Sequence, residues 1–489
     1  MAQVDWTLKG RILVKTQFPE LDNAFGKDGD PLPLEGVRVK VSAKEFAADP
    51  SGWSEWDEDV TDSNGFFQIK KEKDKSKRLF RVRVMFKDDT LKIYPENSGV
   101  ISQLFDLTTD LIPGGPAVKV VQNLEEDLLE AALGAISRAV YDVDWITVLE
   151  DHSGDDKRGP GVVDFGDLVF EQGGDQELGG TIQRRHADLW FLARTMMNKL
   201  ASLGSGLGFT ENKPIAIKYP HSSPFIGDGV EASYTDPINN ITFLIQNSQS
   251  DDFDLQTAMH ELAHMWFYQH SSGETGLAWQ LIIHGSTHNG RQSKTWTAFH
   301  EGLAEFAKNE LYRQMFGSGA TIYGGTAAER RPYTRSQLKS LGISSQSELD
   351  HFEDGWMSIF NLLVCNKVCE LDMNATGTFA EATLPANQFC RQPQILFADL
   401  LGVFLPQGTG EFHTEMSLSQ MTLNNFLERL SAELPSEFTE SHRDLYLAIL
   451  DPKETRQPKE LLGSQAHKID QADNAGKVKL SDLSSAAKP

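Results

Sequence analysis

The residues best suited to chemistry are His260-Glu261-Leu262-Ala263-His264 and, some forty positions on, Trp296-Thr297-Ala298-Phe299-His300-Glu301-Gly302-Leu303-Ala304-Glu305. In a helix, residues four apart share a face one turn apart. His260 and His264 so placed can close on one Zn²⁺, each imidazole at about 2.0–2.1 Å. Glu261 stands beside the metal rather than on it. That is where a general base must be to take a proton from a water the metal activates. Glu301 and Glu305 are again four apart. A carboxylate at 301 can complete a two-His, one-Glu set with an open fourth position, the catalytic rather than the closed structural arrangement. Glu305, one turn later, can accept the free ring N–H of a ligand histidine and fix its tautomer. The plainer alternative is a surface helix with two solvated glutamates.

These residues need two helices. Asp254 can cap the first, and Leu255, Met259, Leu262 and Trp266 form an apolar stripe at helical spacing. Neither Gly nor Pro interrupts Leu255 to His270. The expectation is a helix at the floor of a cleft, half in core and half facing a site. The second segment carries Phe299, Leu303, Ala304, Phe306 and Ala307 and continues helically to Phe316, where a Gly-rich stretch begins.

The pair of segments resembles the gluzincin metallopeptidases, the superfamily of the thermolysin-like and aminopeptidase N-like families. The resemblance covers about 200 residues and rests on the two motifs. It implies His260, His264 and Glu301 as zinc ligands, with Glu261 as base. In thermolysin-like enzymes a His four residues before a helical Gly donates to the oxyanion. His351 and Gly355 have that spacing, although Glu353-Asp354 departs from the pattern. Aminopeptidase-like relatives use a Tyr instead, for which Tyr323 and Tyr333 are rivals. Helix, small sheet, then H-E-x-x-H helix is also the superfamily's order. It implies that the strand Ile241 to Ile245, or a neighbour, offers its edge to an extended peptide.

The whole chain has 489 residues, which predicts two or three domains. Its formal charge of −24 argues against nucleic acid or an anionic membrane as main partner. No apolar run reaches the length of a membrane span. Met1-Ala2-Gln3-Val4-Asp5-Trp6 has no basic or apolar signal region, so a cytoplasmic location or signal-less export is expected. Cys365, Cys369 and Cys390 read as buried thiols, with one disulfide to Cys390 as the alternative.

Residues 1–110 read as an all-β sandwich. Ile12 and Val14 alternate, as do Val37, Val39 and Val41, then Phe80, Val82, Val84 and Phe86. Pro33 to Val39 and Thr61-Asp62 to Gly65-Phe66 resemble transthyretin-like or carboxypeptidase regulatory-like domains, which implies an accessory module. The basic stretch Lys70 to Arg83 reads as a solvated hairpin. Residues 111–180 read as a connector with a helix from Val121 to Val140 and a polar loop from Asp151 to Gly161. Residues 181–452 read as the catalytic domain, opening with a helix over Ala187 to Leu203, and 453–489 as a disordered tail. His284 and His288 are also four apart, but Gly285 and Gly290 make that stretch a loop.

The expected fold is multidomain: an N-terminal all-β sandwich, then an α+β zincin-type catalytic domain with a mainly helical C-terminal lobe. The expected function is zinc-dependent peptide-bond hydrolysis, by an endopeptidase rather than an exopeptidase, with one Zn²⁺ per chain and a peptide or protein substrate. Two alternatives stand beside it: a zinc-stabilised binding or adhesion protein without catalysis, and a zinc hydrolase of a non-peptide bond.

Overall fold

The computed structural model describes residues 3–26, 29–44, 54–75, 78–94, 148–152, 161–171, 181–210, 214–221, 233–236, 240–245, 253–270, 291–292, 295–317, 321–322, 325–326, 339–364, 395–405, 422–435, 438, 440–451 and 453. It is an α+β protein with several sheets. Two compact units divide it: Met1–Leu200 with Phe209–Met265, and Ala201–Gly208 with Trp266–Pro489. The 121–140 helix, the three cysteines, His284 and His288, Tyr323 and Tyr333, and almost all of the tail lie outside the described residues, as does most of the 151–161 loop.

The first unit begins with two sheets. In one, β1 (Gln3–Val14) pairs antiparallel with β2 (Leu32–Pro33) and β5 (Phe66–Lys75). In the other, β3 (Arg38–Lys44) lies between β4 (Ser54–Val60) and β6 (Arg78–Met85). Alternation dictates what each strand buries. Val39 and Val41 on β3, and Phe80, Val82 and Val84 on β6, are fully buried. The two sheets meet where the Trp6 ring packs edge-on against Phe80 at 5.1 Å. The Asp62–Gly65 turn is built as its residues require. The Asp62 carboxylate accepts from the N–H groups of Asn64 and Phe66, and Gly65 takes φ +76°.

Two strands come from the stretch read as a connector. β8 (Val148–His152) pairs with β6, and β9 (Val162–Phe170) pairs in parallel with β1. The sheets therefore extend beyond residue 110. The reason is hydrogen bonding: β1 and β6 each have a second edge whose backbone groups need partners.

A third sheet has the order β11 (Tyr234–Asp236), β12 (Ile241–Ile245), β10 (Ile215–His221), β7 (Leu91–Tyr94). β7 and β12 both run parallel to β10, while β11 is antiparallel to β12. Ile241 to Ile245 is an interior strand, its backbone committed to β10 and β11. Among the described residues the edge next to it is β11.

Helix α2 (Thr181–Leu203) follows the short α1 (Pro19–Phe25) in the order of described helices. The Trp190 indole donates to the Glu35 carbonyl at 2.8 Å, and Arg194 pairs with Asp88. Burial lowers the Arg194 pKa, while its guanidinium lies over the Trp190 ring.

The second unit is mainly helical among its described residues. Helix α3 (Leu255–His270) is divided between the units at Met265 and Trp266. The second unit then contains α4 (Thr295–Phe316), α5 (Gln346–Leu349), α6 (Glu353–Val364), α7 (Phe397–Gly402), α8 (Leu423–Glu433) and α9 (Glu440–Leu450). Its core is aromatic. The Phe299 ring packs against Trp356 at 4.9 Å, Phe360 at 5.7 Å and Phe426 at 5.8 Å. No described helix is long and apolar enough to cross a membrane.

Candidate metal centre

Helix α3 starts where its sequence dictates. The Asp254 carboxylate accepts from the Thr257 N–H at 2.6 Å, satisfying one of the donors a helix start leaves open. Leu255, Met259, Leu262 and Trp266 are buried, as the stripe requires. The rest of the helix is buried too: Ala258, Ala263, Met265 and Phe267 leave it almost no solvated face. It is a core helix rather than a half-exposed one.

His260 and His264 project from it one turn apart, both buried. Their Nε2 atoms are 3.0 Å apart and the rings stand at 84°. Two nitrogens held tetrahedrally by one zinc would be about 3.3 Å apart at the usual Zn–N distance. The imidazoles thus converge at nearly the spacing a shared metal needs.

Glu301 comes from α4, a helix that ends as expected. Gly317 at φ +83° donates its N–H to the Arg313 carbonyl and closes the last turn. The Glu301 side chain is buried. One ligand atom from each of His260, His264 and Glu301 lies within 4.8 Å of the others. Among the described residues this is the group of three side chains brought close enough that they could hold a metal ion. A buried carboxylate beside two imidazoles is costly unless something positive is shared among them. The donor set, two nitrogens and one oxygen, suits zinc and leaves a position open.

Glu261 is also buried. Its neighbour is Thr235 on β11, whose hydroxyl lies 2.9 Å from Glu261 Oε2 and 2.9 Å from the Glu261 carbonyl oxygen. Sequence reasoning missed Thr235. No motif marks it, and only the register of β11 with β12 and the packing of α3 bring it there.

Glu305 accepts from Lys308 and Asn309 on its own helix. Lys308 is fully buried. His351 belongs to the second unit and is half-buried. Its Nδ1 lies 3.0 Å from the Gln292 carbonyl, to which it must donate. The Gln292 N–H in turn donates to the His351 carbonyl at 2.7 Å. Nδ1 therefore carries a proton, and Nε2 can donate only when the ring is cationic. Neither Glu305 nor His351 belongs to the three-residue group.

Near His351, Asp350 is the described group in this unit with a marked shift. Burial raises its pKa from 3.8 to about 6, although its carboxylate accepts from the Leu423 N–H at the start of α8. In the first unit, burial lowers the His186 pKa from 6.5 to about 4. Its Nε2–H donates to the Tyr219 carbonyl at 2.6 Å.

No family model matches the chain. No curated protein matches it either. Among solved structures, a 9R-lipoxygenase from Cyanothece is similar at 16% identity and a TM-score of 0.16. That match covers 41% of this chain and 23% of the lipoxygenase. A likeness that slight carries no argument about fold or chemistry.

Proposed function

We propose that this chain is a zinc-dependent peptide-bond hydrolase of the gluzincin type, acting as an endopeptidase. One observation carries the reading: two imidazoles and a carboxylate, all buried, converge within 4.8 Å, with a second buried carboxylate, Glu261, next to the first ligand. A purely structural zinc site has no use for that second carboxylate.

His260, His264 and Glu301 would hold the metal. When bound, zinc supplies Lewis acidity toward a carbonyl oxygen and toward water. Glu261 acts as general base, takes the proton of the attacking water and returns it to the leaving amine. His351, with Nδ1 on the Gln292 carbonyl, would be the donor to the oxyanion. β11, which among the described residues is the edge strand beside α3, would line an extended peptide. In this reading the zincin-type catalytic domain spans 181–452 with a helical C-terminal lobe, and the sandwich is an accessory module.

The test is Glu261→Gln against a quenched peptide library. The variant should keep its zinc and lose nearly all turnover. An active Glu261→Gln protein would refute the mechanism. Hydrolysis of esters with every peptide untouched would move the chain to the zinc hydrolases of non-peptide bonds.

A further inference from the structure

The general base has its own support, and it comes from the sheet rather than from the metal-binding helices. Thr235 on β11 is in register with Thr242 on β12. The two hydroxyl oxygens are 3.3 Å apart, and Thr242 is fully buried. Thr235 Oγ1 is also 2.9 Å from both the carbonyl oxygen and Oε2 of Glu261. A hydroxyl has one proton and two lone pairs. Both Glu261 oxygens are acceptors when the carboxylate is charged, so the Thr235 proton is spent on them. Between the two threonines, Thr242 is then the donor. The hydrogen bonds run in one direction: Thr242 hydroxyl to Thr235 oxygen, Thr235 hydroxyl to Glu261.

We propose that Thr235 is the positioning residue for Glu261, fixing which carboxylate oxygen is left to move the proton. The inference rests on the peptidase reading for its consequence, though not for its geometry. A glutamate side chain turns about three bonds, and burial alone does not choose among its rotamers. Thr235 does so by tying Oε2 to the same hydroxyl that touches the residue's own carbonyl. Oε2 is the oxygen held by Thr235, which assigns the proton transfer to Oε1. The strand that would line a bound peptide thereby also aims the base.

The experiment compares the full-length parent, Thr235→Val and Thr235→Ser, in crystal structures and in steady-state kinetics on a quenched peptide. Valine keeps the shape and removes the hydroxyl; serine keeps the hydroxyl. In Thr235→Val, Glu261 should spread over more than one rotamer. Its kcat should fall about ten- to hundredfold, as misplaced catalytic groups do, with KM within about twofold. Serine should restore both the rotamer and kcat. If valine does not fold, Thr235→Ala takes its place. A Glu261 side chain as fixed in Thr235→Val as in the parent would overturn the proposal. So would a loss of kcat that serine does not rescue. Should the parent itself cleave no peptide, the peptidase reading fails, and the rotamer comparison alone decides for or against Thr235.

Discussion

Gly302 and Trp356 bring two helices of the second unit into contact at the level of the backbone. A Cβ at position 302 would fall 2.6 Å from the Trp356 Cβ and 2.7 Å from the Glu353 carbonyl oxygen. Those are closer than side-chain carbons come. α6 can lie against α4 at this point because residue 302 has no side chain. The residue before it is Glu301, so this contact sets the height and rotation from which the proposed metal-binding carboxylate projects.

Replacing Gly302 by Ala should therefore do two things. Overpacking should cost about 1–3 kcal/mol of stability in the second unit. Zinc affinity should also drop, because α4 must shift or turn to relieve the clash. Denaturant midpoints and metal titration check both, and an Ala variant with unchanged zinc affinity would separate the contact from the site.

Phe299, one turn before Leu303, tests the core that holds α4 in place. It meets Trp356, Phe360, Phe404 and Phe426 with ring centroids 4.9–5.9 Å apart. Truncation to Ala should cost about 3–5 kcal/mol. Phe299→Leu should cost less, and the order of the two denaturation midpoints is the measurement.

Asp350 gives the second unit a pH dependence with a definite sign. Its folded pKa, about 6, is above the ordinary 3.8, so the native state holds its proton more tightly than the unfolded chain. The associated stability is fully present below pH 4 and is lost as pH rises through 6. By pH 7.5 the charged form costs on the order of 3 kcal/mol relative to the protonated one. Asp350→Asn keeps an acceptor for the Leu423 N–H and removes the charge. It should raise the melting temperature at pH 7.5 and change little at pH 4. A variant less stable at pH 7.5 would mean that the charge is used rather than tolerated.

His186 acts with the opposite sign in the first unit. Its folded pKa, about 4, lies below the ordinary 6.5, so the unfolded chain binds the proton more readily. Stability is intact above pH 6.5 and falls toward pH 4, by on the order of 3 kcal/mol. Replacement by Gln retains a donor for the Tyr219 carbonyl and cannot be charged. The difference in stability between parent and His186→Gln should narrow as pH drops from 7 to 4. A constant difference would show that the imidazole is not forced to stay neutral.

Much of this was legible in the sequence for simple geometric reasons. His260 with His264, and Glu301 with its apolar neighbours, follow the helical repeat, and α3 and α4 form where that repeat runs. Val39, Val41, Phe80, Val82 and Val84 alternate, and they are buried. What stayed hidden depends on partners distant in the chain. Leu91 pairs with Ile215, and Thr7 with Val162, so neither the third sheet nor the full extent of the first two could be read locally. The interior position of Ile241 to Ile245 follows from its two neighbours, not from its own residues. Thr235 is an ordinary strand threonine until α3 packs beside it. Asp350 looks like a surface aspartate before a helix, yet α8 starts on it.

The most direct measurement is zinc content by elemental analysis of the purified, zinc-supplemented parent and of Glu301→Ala. One zinc per chain in the parent, lost or much weakened in Glu301→Ala while the protein stays folded, is the expected result. A folded parent without zinc, or a Glu301→Ala variant that holds it as tightly, would contradict the three-residue metal centre and the peptidase reading built on it.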